Sequence, residues 1–345
     1  MSSSVRGSSF NLIGLKDVAQ YTGLSMSTVS RVLHNKSYVK EDTRKKVLEA
    51  IKVLNYSPNV MAQGLKMGRS NTIALIIPSI QNMIFPDITR GVEDTARRHG
   101  FMVMLTNTDE HIEIEKDYIN RLRPRLIDGF VIASMMPHST HITNLWREHF
   151  PLVLTLRAYS RKIDAVVIDN KKAAYNAVAY LIERGHKKIA IALGDTAVSL
   201  YEERYQGYQE ALRNYRISFD TSLVMHEQEN VHSFYRLTKK MLETGPLPDA
   251  VFATSDARAI VVMRAIYDAG YRVPEDISII GFDNVDIATL LEPPLTTVSQ
   301  PLYEIGVLAA ERLIYQIQYK EKYGVLEKPE INIVDTNLII RKSTR

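Results

Sequence analysis

The sequence predicts an α/β core of two doubly wound parallel-sheet lobes, preceded by a small all-α helix-turn-helix head. After Ser70, short and continuously apolar runs alternate with helical stretches, as in parallel sheets covered by helices on both faces. Before Ser70, two short helical patterns flank a glycine turn. The charge divides at the same position, because residues 1–69 contain 11 Lys or Arg against 4 Asp or Glu, whereas the remainder contains 32 against 35. A basic head on a mildly acidic body is suited to a polyanion.

Length and composition exclude several classes of protein. The chain has 345 residues, enough for two to three domains of roughly 150 residues each. It contains no cysteine, which excludes disulfides and thiolate metal sites. Residues 1–11 lack the apolar segment of a secretion signal and are expected to form a disordered leader. No apolar run approaches the ~20 residues of a membrane span. We therefore expect a cytoplasmic protein.

The head is predicted to span residues 12–57. Apolar residues at helical spacing mark a first helix up to Thr22, and Gly23 breaks the pattern. Ser25 can cap a second short helix. The apolar positions of a third helix are expected to close a small core: Val47, Leu48, Ile51 and Leu54. Such a unit fits a DNA-binding helix-turn-helix, although three ordinary surface helices with a solvated charge face would show the same periodicity.

Residues 58–69 are predicted to form a hinge helix or linker. Ser57 can cap a helix with Pro58 at its first position. Gly64 costs ~1 kcal/mol relative to alanine, and the segment is shorter than the ~12–15 residues at which isolated helices become marginal. On its own the segment should therefore be disordered, and a plain flexible linker is the simplest interpretation of its composition.

The core is predicted to span residues 70–345. Its strands are expected at TIALIIP, FMVMLT, DGFVIA, PLVLTL, AVVID, KIAIAL, SLVMH, AVFAT and ISIIGF. Its helices are expected near 87–99, 112–122, 138–149, 171–184, 202–214, 231–242 and 256–269. This number of strands fits two lobes better than one sheet. Ligands of such folds bind beyond the carboxyl ends of the strands, so the loops after the strands are the candidate site.

Specific strings carry a resemblance to a known family. Residues 15–59, LKDVAQYTGLSMSTVSRVLHNKSYVKEDTRKKVLEAIKVLNYSPN, resemble the DNA-binding head of LacI/GalR-type repressors almost position by position. The string NVMAQGL resembles the hinge helix of that family, and the chain from Ile73 to its end resembles its core, which is similar to periplasmic sugar-binding proteins. Three positions depart from the family pattern: Lys40 at a usual Ser-type cap, and Ala173 and Val261 at usual glycines.

The resemblance implies that a homodimer binds a palindromic operator. Met26 and Ser27 would read base edges, and Arg31 would bond a guanine. Leu65 matches the leucine that enters the minor groove and kinks the duplex. The remaining implied contacts, mostly to phosphates or flanking positions, are Leu15, Lys16, Ser25, Thr28, Ser30, His34, Tyr38, Asn59 and Ala62. Because the chain ends just after its last core strand, near LIIRKST, with no apolar heptads beyond it, a dimer is expected instead of a tetramer.

For the core, the resemblance implies a first lobe of about 70–168 plus 299–330 and a second lobe of about 169–298 plus 331–345. The effector would lie between them. The implied ligand-binding residues are Phe85, Arg157, Asp169, Arg204, Ser255 and Asp283. Arg204 and Asp283 offer a donor fork and a charged acceptor for vicinal hydroxyls, and Phe85 offers a ring for the C–H face of a sugar. An aspartate after a strand is often a helix cap, so Asp169 has that alternative role.

No motif for catalysis is found. The sequence lacks a Walker-type loop, a G-x-G-x-x-G after a strand and a G-x-S-x-G. No metal site or cofactor is expected, and His138, His141 and His149 are interpreted as surface histidines. The resemblance therefore implies a non-enzymatic, nucleoid-associated bacterial transcriptional regulator, a repressor controlled by a small ligand such as a sugar. The alternatives are control by a nucleobase-type corepressor or a phosphorylated protein partner, or, in another class, a solute-binding protein.

Overall fold

The computed structural model describes residues 13–33, 38–56, 69–124, 126–133, 139–158, 162–228 and 230–345. The chain divides into two compact units, residues 1–70 and 71–345. The predicted leader and the predicted hinge, except Arg69, lie outside the described residues. Within the described ranges, no helix combines the length and the apolar character needed to cross a membrane.

The head contains three short helices within its described residues: α1 (Leu15–Thr22), α2 (Met26–Leu33) and α3 (Glu41–Val53). The backbone N–H of Gly14 donates to the Asp17 carboxylate at 2.7 Å and so fixes the start of α1. Gly23 ends α1 with φ of 67°, a left-handed conformation that favours glycine. The Ser25 hydroxyl accepts from the backbone N–H of Thr28 at 3.2 Å, which confirms the predicted cap of α2.

A small apolar core joins the three helices. Its buried members are Val18, Ala19, Val29, Val32, Val47 and Ala50. The prediction for Leu48 was wrong, because 47% of its side chain is exposed. Leu48 follows Val47 by about 100° around the helix axis, whereas Ala50, Ile51 and Leu54 lie close to the direction of Val47. The inward face of α3 therefore contains Ala50 in place of Leu48.

The first lobe is built on a six-stranded, all-parallel sheet in the order β11-β5-β4-β3-β1-β2. Its strands are β1 (Thr72–Ile77), β2 (Met102–Asn107), β3 (Gly129–Ile132), β4 (Leu152–Thr155), β5 (Asp164–Ile168) and β11 (Ile331–Val334). Its helices are α4 (Phe85–Arg98), α5 (Ile112–Leu122), α6 (Thr140–Arg147) and α11 (Leu302–Tyr323). Residues of α5 and α6 pack on one face of the sheet, and residues of α4 and α11 pack on the other.

The second lobe repeats this plan with the sheet order β12-β10-β9-β8-β6-β7, in which β12 alone runs antiparallel to its neighbour. Its strands are β6 (Ile189–Leu193), β7 (Val224–His226), β8 (Ala250–Ala253), β9 (Ser278–Asp283), β10 (Thr296–Ser299) and β12 (Asn337–Ile339). Its helices are α7 (Asn170–Glu183), α8 (Ser199–Asn214), α9 (Ser233–Thr244) and α10 (Asp256–Asp268). Two lobes with helices on both sheet faces confirm the predicted fold class.

The chain passes between the two sheets three times, after β5, after β10 and after β11. The third passage corrects an expected boundary, because β11 pairs with β5 in the first lobe instead of opening the final part of the second. The chain therefore returns to the second lobe between Val334 and Asn337 and not at residue 331. At each passage the chain leaves the carboxyl end of a strand, and the candidate ligand residues Asp169 and Asp283 lie at strand ends of this kind.

Candidate functional site

The exposed face of α2 contains the residues that were expected to read DNA bases. Met26, Ser27 and Arg31 are all solvent-exposed there, while Val29 and Val32 of the same helix are buried in the head core. The helix is thus held by its apolar face, and its polar face is available to a partner. Thr28 and Ser30 are half-buried at the margin of the exposed face.

The other residues that were expected to contact DNA lie around α2 or in α1. The Arg31 guanidinium lies 5.6 Å from the centroid of the Tyr38 ring, so the structure brings these two predicted residues together. The Ser25 hydroxyl lies 2.8 Å from that of Ser27 and 2.9 Å from that of Thr28. Leu15 and Lys16 lie in the first turn of α1. The predicted contacts His34, Asn59, Ala62 and Leu65 lie outside the described residues.

The head has several exposed basic side chains that can contact a polyanion. Apart from Arg31, the described exposed ones are Lys16, Lys40, Lys45, Lys46 and Lys52. Glu41 and Asp42 occupy the first turn of α3, where negative charge is favourable to the helix dipole. Positive charge is therefore in excess on the surface of this small unit, which suits it to phosphates.

In the second lobe, Arg204 lies at the centre of a cluster of polar side chains near the strand ends. The other members of this cluster are Asn170, Asp283 and Gln300. Its Nε donates to Asn170 Oδ1 at 2.9 Å, and its Nη1 donates to the carbonyl of Thr254 at 2.6 Å. The guanidinium carbon lies 3.6 Å from the centroid of the Phe282 ring. Burial lowers the pKa of Arg204 to about 10, so the side chain is still charged at neutral pH. Within the described residues, Nη2 donates no hydrogen bond.

Two residues that follow Arg204, Gly207 and Tyr208, explain why Arg204 reaches this position. A Cβ on Gly207 would lie 2.2 Å from the carbonyl oxygen of Lys171, so only glycine permits α7 and α8 to approach this closely. Tyr208 is fully buried, and its hydroxyl donates to the carbonyl of Ile189 at 2.8 Å. Together these two residues hold α8 against α7 and against the sheet, and Arg204 is thereby fixed beside Asn170.

Asp283 provides the acceptor of the cluster. Its Oδ1 lies 3.8 Å from Arg204 Nη1 and accepts from Gln300 Nε2 at 2.6 Å. Its φ of 121° is a conformation that residues with a side chain rarely adopt, and such strain concentrates at functional sites. The other amide atom of Gln300, Oε1, is buried and has no hydrogen-bond partner within the described chain. A hydroxyl of a bound molecule is one group that would satisfy this buried acceptor beside Asp283.

A second buried carboxyl group supports the first. Asp256 accepts from the Thr297 hydroxyl at 2.6 Å and from the backbone N–H of Val285 at 2.9 Å, and so ties the ends of β9 and β10 to the first turn of α10. Burial raises the pKa of Asp283 to about 6, against the opposing effect of Arg204. Burial, and next the charge of Asp283, raise the pKa of Asp256 to about 7. Both carboxyl groups are therefore protonated more readily than exposed aspartates are.

The other predicted ligand residues are not all brought to this cluster. Asp169 is exposed and accepts from the backbone N–H of Lys172 at 2.9 Å, which gives it the alternative role of helix cap. Ser255 caps α10 in the same way. Phe85 is buried among apolar side chains at the start of α4, and Arg157 is buried after β4.

Four side chains in or beside the cluster were not among the predicted ligand residues. Gln300 follows β10, whose sequence TTVS contains a single Val, Ile or Leu and was not recognised as a strand. Asn170 directly follows the predicted strand AVVID. Arg258 and Glu227 form a buried ion pair beside the cluster. The arginine within the otherwise apolar start of α10 was the available signal.

The interpretation of the histidines needs one correction. His141 is not a surface residue, because it lies between α5 and α6 with its Nε2 2.5 Å from the buried carboxylate of Glu115. The two helices pack on the same sheet face, which brings these residues together across 26 positions of sequence. His149 is exposed, and His138 is outside the described residues. No group of three or more potential ligands that could hold a metal is found in the described part of the chain.

Comparisons with known proteins match both units. A family model described as "Periplasmic binding proteins and sugar binding domain of LacI family" matches residues 70–336, and one described as "Bacterial regulatory proteins, lacI family" matches residues 14–59. The ribose operon repressor of Halalkalibacterium halodurans is 36% identical over 332 residues, which cover 96% of this chain and 97% of that relative.

Solved structures give the same result. The lac repressor dimer bound to operator and the anti-inducer ONPF has a TM-score of 0.86 at 26% identity, covering 96% of this chain and 99% of its own. A LacI family transcriptional regulator from Enterococcus faecium with bound ribose has a TM-score of 0.70 at 31% identity, covering 79% of this chain and 98% of its own.

Proposed function

The chain belongs to the LacI family of bacterial regulatory proteins, and from this premise we propose that it is a transcriptional repressor whose operator affinity is controlled by a sugar. The relatives are transcriptional regulators and not enzymes, in agreement with the expectation from the sequence. The head would bind a palindromic operator as a homodimer at the bacterial nucleoid. The base-reading residues would be Met26, Ser27 and Arg31, with Leu65 as the minor-groove wedge.

The observation that supports a sugar best is the set of unused hydrogen-bonding groups around Asp283. Arg204 has donors left at Nη2, Gln300 has an acceptor left at Oε1, and the carboxylate of Asp283 lies between these residues. Donors and acceptors within one small cluster match the hydroxyl groups of a polyol, each of which both donates and accepts. The ribose named with the relative and the solved structure above supports the same class of ligand.

The proposed control acts through the three passages between the lobes. A sugar held by strand ends of the second lobe would favour one degree of lobe closure, and closure would alter the separation of the two hinge segments in a dimer. Since a ligand shifts an equilibrium only by its differential affinity for the two states, the proposal requires that the sugar bind the operator-free arrangement more tightly. The sugar is therefore an inducer in this scheme, although the same mechanics can serve a corepressor.

The test of the proposed function is a thermal-shift screen of the full chain with sugars, sugar phosphates and nucleobases. A ligand at about 100 times its dissociation constant is expected to stabilise the core by ~2.7 kcal/mol. The expected result is a shift with at least one neutral sugar. A shift with nucleobases alone would replace the sugar by a nucleobase-type corepressor. No shift with any compound, in a protein that binds operator, would contradict control by a small ligand and favour a protein partner.

The affinity for the sugar should depend on pH through Asp283. Because burial raises its pKa to about 6, the carboxyl is increasingly protonated below that pH and loses an acceptor for the sugar hydroxyls. Affinity should thus be full above about pH 7 and fall about tenfold by about pH 5. Calorimetric titrations across this range measure it. Asp283→Asn should bind weakly and without this pH dependence, and an unchanged profile in the variant would contradict the assignment.

A second copy of the chain is the proposed occupant of the β2 edge of the first lobe. Met102, Met104 and Leu105 are exposed on this edge strand. Ile80 and Met83, which follow the neighbouring strand β1 in the chain, are also exposed. An uncovered apolar edge strand invites pairing with another chain. The two-fold symmetry of a palindromic operator makes a second copy the natural partner.

A charged substitution on this edge should therefore dissociate the dimer. The side chain of Met102 is 68% exposed, so Met102→Lys is not expected to disturb the fold, yet it places a charge in the proposed interface. Sedimentation velocity should show monomers. The matched control is Ile333→Lys, since Ile333 is 61% exposed on β11, the opposite edge strand of the same sheet. Monomers from the control, or a dimer from Met102→Lys, would contradict the assignment of this face.

A further inference from the structure

The turn that contains Asp283 has an unfavourable backbone conformation. Asp283 has a φ of 121°, and the next residue, Asn284, has a φ of 60°. Asparagine tolerates the second value, but residues with a side chain rarely adopt the first, so surrounding groups must hold it in place. Residues 283–285, called here the Asp283 turn, join the end of β9 to the short helical turn Asp286–Thr289. The conformation of this turn determines where the Asp283 carboxylate points.

The Asp256 side chain holds the Asp283 turn from the first residue of α10. Its Oδ2 accepts from the backbone N–H of Val285 at 2.9 Å, and its Oδ1 accepts from the Thr297 hydroxyl at 2.6 Å. Thr297 lies on β10 directly opposite Gly281 of β9. One carboxylate therefore joins the turn after β9 to the neighbouring strand.

Gly281 provides the space in which the Asp256 carboxylate lies. A Cβ at this position would lie 2.2 Å from Asp256 Oδ1, which is closer than real Cβ atoms approach other atoms. The carboxylate is thus in contact with the strand itself, two residues before Asp283, and Asp256 is fully buried. Because it is confined in this way, the carboxylate can fix the position of the Val285 N–H.

A second hydrogen bond runs from Asp256 to the turn in the opposite sense. Burial raises the pKa of Asp283 to about 6, and a hydrogen bond from the backbone N–H of Asp256 is among the interactions that oppose this rise. Asp256 therefore binds the turn twice, through its backbone at the Asp283 carboxylate and through its side chain at Val285. Reciprocal bonds of this kind fix both partners, as they do in a helix capping box.

The Asp283 turn also has support that does not depend on Asp256. Asn284 Nδ2 donates to Ser299 Oγ at 3.2 Å, and Asn284 Oδ1 accepts from Arg341 Nη2 at 2.7 Å. Loss of the Asp256 side chain should therefore shift the turn and the Asp283 carboxylate without unfolding the lobe.

We propose that Asp256 is a positioning residue of the effector site, which acts on the sugar through Asp283 and does not contact the sugar itself. The inference rests on the proposed function, because it assigns a role to the residue behind the proposed acceptor. The burial of the two residues agrees with this order, since Asp256 has no exposed surface whereas 9% of the Asp283 side chain is exposed.

The first test compares two aspartates of the same lobe. Asp249 also accepts from backbone N–H groups, those of Lys187 and Lys188, but it precedes β8 and so lies at the amino ends of the strands. Calorimetry uses whichever of D-ribose, D-glucose and D-galactose the parent binds. Asp256→Ala should lower this affinity about tenfold, and Asp249→Ala, the matched control, should leave it unchanged. An equal loss in both variants would show a merely structural role and overturn the proposal.

Two further variants separate positioning from packing. Asp256→Asn should recover most of the affinity, because its amide can accept from Val285 and donate to the oxygen of Thr297. In an Asp283→Asn background, Asp256→Ala should cause little further loss, since the residue through which it acts is already altered. A further loss of about tenfold in that background would show that Asp256 acts independently of Asp283 and would contradict the proposal.

The last test needs no sugar and separates this inference from the proposed function. Hydrogen exchange in a peptide spanning residues 283–290 should be about tenfold faster in Asp256→Ala than in the parent, and parental in Asp249→Ala. Thr297→Val removes one donor to Asp256 and should give about threefold faster exchange, which decides the question if Asp256→Ala does not fold. Parental exchange in the folded variant would overturn the proposal. Faster exchange in a protein that binds no sugar would contradict the proposed function and leave the role of Asp256 in the turn intact.

Discussion

The operator affinity of the dimer should fall by about 10³ to 10⁵ when the salt concentration rises from about 50 mM to about 200 mM, if the two heads neutralise roughly 6 to 10 phosphates. The reason is that exposed Lys and Arg side chains release condensed counterions from the DNA, and this release becomes less favourable as salt is added. The head has the required residues, since Lys16, Lys45, Lys46 and Lys52 are exposed on it. Fluorescence anisotropy with a labelled operator at several salt concentrations measures the slope.

A substitution in the head provides the control for this slope. Lys46→Gln removes one charge from each head, so the slope of log affinity against log salt should decrease by about 2 for the dimer if Lys46 contacts a phosphate. Lys322 is also exposed but lies on α11 of the core, and Lys322→Gln should leave the slope unchanged. A nearly flat slope in the parent protein would contradict the assignment of the head to DNA.

Removing Arg204 should abolish the response to the sugar. Arg204→Met deletes two hydrogen bonds, to Asn170 and Thr254, and leaves Asp283 buried without its positive partner. It also removes the Nη2 donors that are proposed to bind the sugar. Hydrogen bonds to charged groups contribute about 1.5–3 kcal/mol each, so affinity for the sugar should fall by about 100-fold or more. The protein should still bind operator and should no longer release it when sugar is added. Titration of the sugar into the variant measures the loss of affinity.

Stability needs a second variant, because breaking a buried ion pair costs about 3–5 kcal/mol. The double variant Arg204→Met/Asp283→Asn contains no unpaired charge at this position and should recover much of the melting temperature that Arg204→Met loses. It should nevertheless bind no sugar. Sugar binding by the folded double variant at parental affinity would show that the cluster around Arg204 is not the effector site.

The strands and helices that are predictable from the sequence are those with strong local patterns. TIALII and IAIAL are continuous apolar runs, which mark strands buried on both faces. β10 has the sequence TTVS and lacks such a run, because two of its threonines are held by hydrogen bonds to buried polar groups instead of by apolar packing. Missing β10 also concealed Gln300, which follows it.

Partners that are distant in sequence explain the other differences. Strand β11 belongs to the first lobe because it pairs with β5. The residue pattern of a strand does not specify which sheet the strand joins. Arg258 and Glu227 are 31 positions apart, and their ion pair follows from the adjacency of β7 and β6 to α10 in the folded lobe. Arg204 and Asp283 lie close in sequence to strongly apolar strands, since Asp283 ends β9 and Arg204 lies in the helix after β6. The distance between their side chains could not be predicted, because periodicity describes only residues that are near in sequence.

The central claim is that occupation of the cleft changes the affinity for the operator. The most direct measurement is a titration of labelled palindromic operator with the dimer, with and without a saturating amount of the sugar that gives the largest thermal shift in the screen. Coupling between two sites typically amounts to about 1–3 kcal/mol, so operator affinity should fall about 5- to 150-fold when the sugar is bound. An operator affinity that stays the same while the sugar is bound would contradict the account.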